Sequence, residues 1–114
     1  MTDCLFCKIV AGEIPSTKVA ESATAFAFHD ISPQAPVHVL VVPKAHVTSA
    51  DHVTSDHDNV VNNLVLLAQE VADVTGVRTS GYRLVMNVGA DAQMTVPHLH
   101  LHVLGGRLLE WPPG

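Results

Sequence analysis

Between residues 98 and 103 polar and apolar positions alternate strictly, with His98, His100 and His102 interleaved with Leu99, Leu101 and Val103. A period of two predicts a half-buried strand, in which positions i, i+2 and i+4 share one face. The three imidazoles then stand in a row, roughly 6.5–7 Å apart per step, with the apolar residues gripping a core behind them. Pro97 opens this strand, where a missing N–H costs least, and Gly105-Gly106 closes it.

The rest of the pattern is read in the same way. Residues 18–21 and 24–29 predict two short strands, the second with Phe26 and Phe28 on one face. Residues 37–42 are apolar and β-branched around an embedded His38, which predicts a central strand. Another strand is expected from Tyr82 to Val88. From about Ser55 to Thr75, Val60, Val61, Leu64, Leu67, Ala68, Val71 and Val74 recur at helical spacing. Ser55 with Asp58 resembles a capping box, and Gly76 is a C-terminal stop. Cys4 to Val10 reads as a short N-terminal helix ended by Gly12 and Pro15. Asp30 to Pro36 carries two prolines and forms a turn, whereas Ser49 to Asp58 reads as solvated loop with His52 and His57 on the surface. The expected fold class is α+β: an antiparallel sheet of about five strands, one long helix and a short N-terminal helix. With 114 residues and neither repeat nor linker, residues 1–114 are expected to be one domain.

Composition changes this picture in three places. The chain is 47% apolar and only 15% charged, so it has either a well-filled core or surface hidden in an oligomer. A net charge of −5 disfavours a nucleic-acid polymer as partner but leaves a small phosphorylated ligand open. No apolar run approaches the ~18–20 residues of a membrane span, and no signal-peptide pattern is seen. Cys4 and Cys7 cannot form a disulfide framework. The expected compartment is cytoplasmic.

Three chemistries suit the histidine strand. It can be a strand face that happens to be rich in histidine, or a metal site, since alternating imidazoles chelate zinc or iron. The third is nucleophilic catalysis: neutral imidazole is abundant at pH 7 and attacks phosphorus without deprotonation, while neighbouring imidazoles hydrogen-bond the phosphoryl oxygens or protonate a leaving group.

His98-Leu-His100-Leu-His102-Val-Leu104 resembles the His-x-His-x-His-x-x pattern of the histidine triad (HIT) superfamily. Further agreement comes from Phe28-His-Asp-Ile-Ser-Pro-Gln-Ala-Pro-Val-His38, Val41-Val-Pro-Lys-Ala-His46, Gly81-Tyr-Arg-Leu-Val85, Gly105-Gly-Arg107 and Trp111-Pro-Pro-Gly114. Together they resemble the Hint branch, the histidine triad nucleotide-binding proteins, over nearly the whole chain. The resemblance implies a homodimeric HIT fold that hydrolyses purine nucleoside 5′-phosphoramidates of the adenosine 5′-monophosphoramidate type, with no organic cofactor. By position, His100 matches the nucleophile that forms a nucleotidyl-imidazole intermediate, His102 and His38 match phosphate-pocket histidines, and Asn87 a polar pocket residue. Asp30 matches the carboxylate that holds the ribose hydroxyls, and Phe6, Ile9, Phe28, His29, Ile31 and Leu40 the base pocket. The tail with Trp111 is implied to reach the partner subunit near its pocket.

Thr95 departs from the branch, which commonly has Ser there; its hydroxyl still reaches a phosphoryl oxygen or leaving amine, but its methyl narrows the pocket. The pair Cys4 and Cys7 is compatible with a redox couple, an incidental pair or half a zinc site. In many HIT proteins such a pair binds zinc with two histidines, which here are His46 and His98, giving a closed tetrahedral structural site. Two further functions compete with the phosphoramidase: a nucleotide-binding regulatory module with incidental turnover, and a dinucleoside polyphosphate hydrolase of the Fhit-like branch, against which the Trp-Pro-Pro-Gly tail argues.

Overall fold

The computed structural model describes residues 3–114. Two helices, α1 (Leu5–Val10) and α2 (Val60–Thr75), accompany five strands, β1 (Lys18–Glu21), β2 (Ala25–His29), β3 (Val37–Pro43), β4 (Tyr82–Val85) and β5 (Leu101–Gly105). The strands form one antiparallel sheet in the order β1-β2-β3-β5-β4. Two short 3-10 turns, Ala50–His52 and Ala90–Ala92, punctuate the loops. No helix among the described residues is long and apolar enough to cross a membrane.

Alternation sorts the side chains between two faces. Ala25 and Ala27 of β2, Val39 and Val41 of β3, and Leu101 and Val103 of β5 are buried against Leu64, Leu67, Ala68 and Val71 of α2. Each buried Leu or Val contributes about 1.5–3 kcal/mol relative to exposure, so this layer fixes the sheet's register. The opposite face carries Phe28, Leu40 and Val42, which pack beneath Phe6 and Ile9 of α1. Because β3 is covered on both sides, it reads as an unbroken apolar run, and His38 on the second face is buried with it. Gly105 has a packing reason: a Cβ there would lie 2.9 Å from Cγ1 of Val77.

Three element boundaries differ from the sequence pattern. The last strand begins at Leu101, not at His98. Upstream of it the Leu99 N–H bonds to the Val47 carbonyl at 2.6 Å, outside the sheet ladder, and His98, Leu99 and His100 are all buried. The long helix begins at Val60, behind a left-handed Asn59 (φ 62°) that makes no side-chain cap. The Ser55–Asp58 capping box does not form; instead the Thr54 N–H donates to Nδ1 of His57 at 2.9 Å and the Val60 N–H to the His57 carbonyl. At its other end α2 stops as expected, with Gly76 at φ 80°. Strand β4 ends at Val85, so Asn87 lies in the following loop.

Candidate active site

The second face of the sheet, where α1 leaves it uncovered, gathers His38 and His102. In the β3–β5 ladder His102 pairs with Leu40 and His38 with Leu104, so the two imidazoles are diagonal neighbours, offset by two residues on adjacent strands and on the same face. Their ring nitrogens, Nε2 of His38 and Nδ1 of His102, are 2.9 Å apart. His100 joins them from the irregular segment before β5, its ring centroid 5.0 Å from that of His102. The expected row of three imidazoles is therefore bent: His100 and His102 share one site, and His98 turns into another.

Backbone groups decide which nitrogen of each ring bears hydrogen. Nδ1 of His100 is 2.6 Å from the His98 carbonyl, which only accepts, so Nδ1 is the donor and Nε2 keeps its lone pair. The Gln34 N–H donates to Nδ1 of His38 at 3.0 Å, which places the His38 hydrogen on Nε2, directed at Nδ1 of His102. His102 then carries its hydrogen on Nε2, 3.5 Å from Nδ2 of Asn87, which is also a donor, so the two do not bond to each other and both remain available to an acceptor. The relay yields one imidazole with an available lone pair beside another that presents an N–H. Burial, with the neighbouring His100 and His38, pushes the His102 pKa down to about 4. Burial likewise lowers that of His38, against the pull of the Asp30 carboxylate. Both rings are therefore neutral at pH 7.

Asp30 follows β2 and is tied in from two sides. Its N–H donates to the His38 carbonyl, its Oδ1 accepts from the Ser32 N–H at 2.7 Å, and its Oδ2 lies 3.5 Å from Nε2 of His38. Beside it opens a cleft of about 340 Å³ lined by Ile9, Pro15, Ser16, Thr17, Phe28, His29, Asp30 and Ile31. Five residues expected to hold a base and ribose thus line one cleft. Ile31 at its rim is 98% exposed, an apolar side chain that nothing among the described residues covers. Leu40 and Phe6 lie buried behind the cleft and do not line it. Phe6 instead meets His100 edge-on at 5.1 Å and His98 at 5.9 Å. Thr95 is exposed in the loop before the triad, and Trp111 in the tail is 81% exposed.

A second cluster lies on the far side of Phe6. Cys4, the N-cap of α1, and Cys7 in its first turn bring their sulfurs to 3.2 and 3.5 Å from Nδ1 of His98. Nδ1 of His46 is 3.3 Å from the Cys7 sulfur and 3.1 Å from Nδ1 of His98. A tetrahedral zinc with its usual bond lengths needs ligand–ligand edges of about 3.3–3.7 Å, so this set is near the required size. The donor chemistry also fits: Nε2–H of His98 donates to the Pro43 carbonyl at 2.9 Å, which leaves the Nδ1 lone pair facing the sulfurs. Burial and the adjacent Cys4 thiol push the Cys7 pKa up, a resistance that a bound cation reverses. Asp30, His38 and His102 are also mutually close, but they fail the same test. The Gln34 N–H holds His38 in the tautomer whose Nε2 has no lone pair to offer.

Residues 11–109 match the HIT domain family. The chain belongs to that family. It is 45% identical over 112 residues to an uncharacterized HIT-like protein of Synechococcus elongatus, covering 98% of this chain and 97% of that one. Among solved structures, a HIT family hydrolase from Legionella pneumophila superposes with a TM-score of 0.94 at 46% identity, covering 98% of this chain and 100% of the other. A histidine triad protein from Clostridium difficile gives 0.93 at 41% identity, with 96% of each chain covered.

Within this HIT chain, the groups that residue patterns miss are those of the main chain. The Gln34 N–H and the Pro43 and His98 carbonyls fix the tautomers of His38, His98 and His100, and no side-chain identity announces them. Arg107 is another: its guanidinium donates to the Gln34 carbonyl at 3.1 Å, steadying the loop that faces His38.

Proposed function

We propose that this protein is a hydrolase of the Hint branch that cleaves purine nucleoside 5′-phosphoramidates through a nucleotidyl-imidazole on His100. The observation that carries the reading is the 2.6 Å bond from Nδ1–H of His100 to the His98 carbonyl, which keeps the Nε2 lone pair free. In the first step Nε2 attacks phosphorus and the P–N bond breaks, the nitrogen keeping the bonding pair and taking a proton relayed from solvent through the Thr95 hydroxyl, so that a neutral amine leaves. In the second, water displaces His100 and releases the nucleoside monophosphate. Nε2–H of His102 and the Asn87 amide stabilise the phosphoryl oxygens, with Thr95 toward the leaving amine. Asp30 accepts the ribose hydroxyls, and the Ile9, Phe28 and Ile31 cleft suits the apolar faces of a purine.

Cys4, Cys7, His46 and His98 would hold a structural zinc, which cross-links α1 to the segments after β3 and before β5. Unpartnered apolar surface on β4 (Leu84), α2 (Leu66, Val74) and the tail (Leu108, Trp111) supports a C2 homodimer. The test is a steady-state panel of adenosine and guanosine phosphoramidates with a dinucleoside polyphosphate alongside. Turnover of the phosphoramidates is expected. Preference for the polyphosphate, or nucleotide binding without turnover, overturns the assignment.

A further inference from the structure

Helix α1 has only six residues, far short of what stands alone in water. It is held by burial of Phe6 and Ile9 and by the two cysteines. Phe6 sits between those cysteines in sequence, and its ring meets two imidazoles at once: His98 at an interplanar angle of 71° and His100 at 87°. His98 is shared as well. Its Nδ1 faces the thiols, its Nε2 is fixed to Pro43, and its carbonyl accepts from Nδ1–H of His100.

We propose that Phe6 and His98 are positioning residues that tie the His100 ring to the thiol–imidazole centre, so that docking of α1 sets the nucleophile's orientation and tautomer. This rests on the hydrolase reading above. Two routes, one through a side chain and one through a backbone carbonyl, run between the same two sites. With its ring held at both nitrogens, His98 anchors its own backbone, so release of the ring lets the carbonyl that holds Nδ1 of His100 shift, and departure of Phe6 removes the wall against which the His100 ring stands. Either change frees the ring to turn and to populate its other tautomer, in which Nε2 bears hydrogen and cannot attack. A displacement of about 1 Å at a reacting group costs up to 10²-fold in rate, so partial loosening is expected to cost about tenfold.

The experiment uses the full chain purified with zinc present. Phe6→Ala, Phe6→Leu and the Cys4→Ser/Cys7→Ser double variant are compared with the unmodified protein. Imidazole 15N NMR at one fixed pH reads the His100 tautomer, binding of adenosine monophosphate is measured, and kcat and KM are taken with adenosine 5′-phosphoramidate. Phe6→Ala is expected to lower kcat about tenfold, to change nucleotide affinity less than about threefold, and to mix the His100 tautomers. Phe6→Leu restores most of both, and the double variant gives the same spectral change as Phe6→Ala. Unaltered His100 signals in the double variant overturn the proposal, as does a Phe6→Ala protein whose affinity falls as much as its kcat. If Phe6→Ala does not fold, Phe6→Leu and the double variant decide. An unmodified protein without turnover counts against the hydrolase reading, and the spectra then decide the coupling by themselves.

Discussion

Replacing His38 by Leu isolates the relay behind His102 without touching His100, the proposed nucleophile. Leu fills a similar volume at a position only 6% exposed, and it removes the donor that holds Nδ1 of His102 at 2.9 Å. A hydrogen bond of this kind is worth about 0.5–1.5 kcal/mol net, and that is the preference it gives for the His102 tautomer presenting Nε2–H. Losing it shifts the tautomer ratio by about two- to tenfold and so lowers the productive population, and with it kcat, by up to about twofold. Removing the His102 donor itself takes away a contact to the developing charge, which costs on the order of 10²–10³ in kcat. The assay compares kcat for His38→Leu and His102→Leu with adenosine 5′-phosphoramidate, with 15N spectra reporting the His102 tautomer in the first. A His38→Leu loss as deep as that of His102→Leu would refute the relay, because His38 would then have to touch the reacting group. An unchanged His102 tautomer ratio would refute it from the other side.

Zinc analysis of protein purified without chelators is expected to give about one zinc per chain, and its removal to lower the thermal midpoint; a metal-free chain of the same stability contradicts the Cys4, Cys7, His46 and His98 assignment. Gly105→Ala brings a methyl to 2.9 Å from Val77 and should destabilise by about 1–3 kcal/mol in urea unfolding, partly relieved by Val77→Ala; an unchanged midpoint contradicts the packing. His102 titrates near 4 when folded and His38 is also lowered, so the unfolded chain binds more protons from about pH 6.5 downward. Stability is therefore full above about pH 6.5 and falls as pH drops toward 4, and thermal midpoints that stay level from pH 7 to 4.5 would show that these rings are not buried neutral.

The sequence was most legible where burial alone decides. Alternation at residues 24–29, the apolar run from Val37 and the helical spacing from Val60 to Val71 each find their element, because side chains there face the α2 core. It was least legible where the main chain competes with pattern. The run from His98 to His102 looks like one strand, yet the Leu99 N–H leaves the ladder for Val47, and that turn sends His98 and His100 to different sites. The start of α2 moved for a similar reason: His57 organises the preceding turn and Ser55 does not. The site residues could be named from the histidine pattern and its family resemblance, whereas their tautomers could not, since peptide groups set them.

The proposed reaction turns on a covalent bond between Nε2 of His100 and phosphorus. Rapid mixing of the full chain with adenosine 5′-phosphoramidate, quenching at alkaline pH and peptide mass spectrometry tests it directly. An adenylyl group on His100 that forms and decays within turnover is expected. In His100→Asn the adduct and the turnover disappear while adenosine monophosphate still binds. An adduct on any other residue, or undiminished turnover in His100→Asn, would contradict the account.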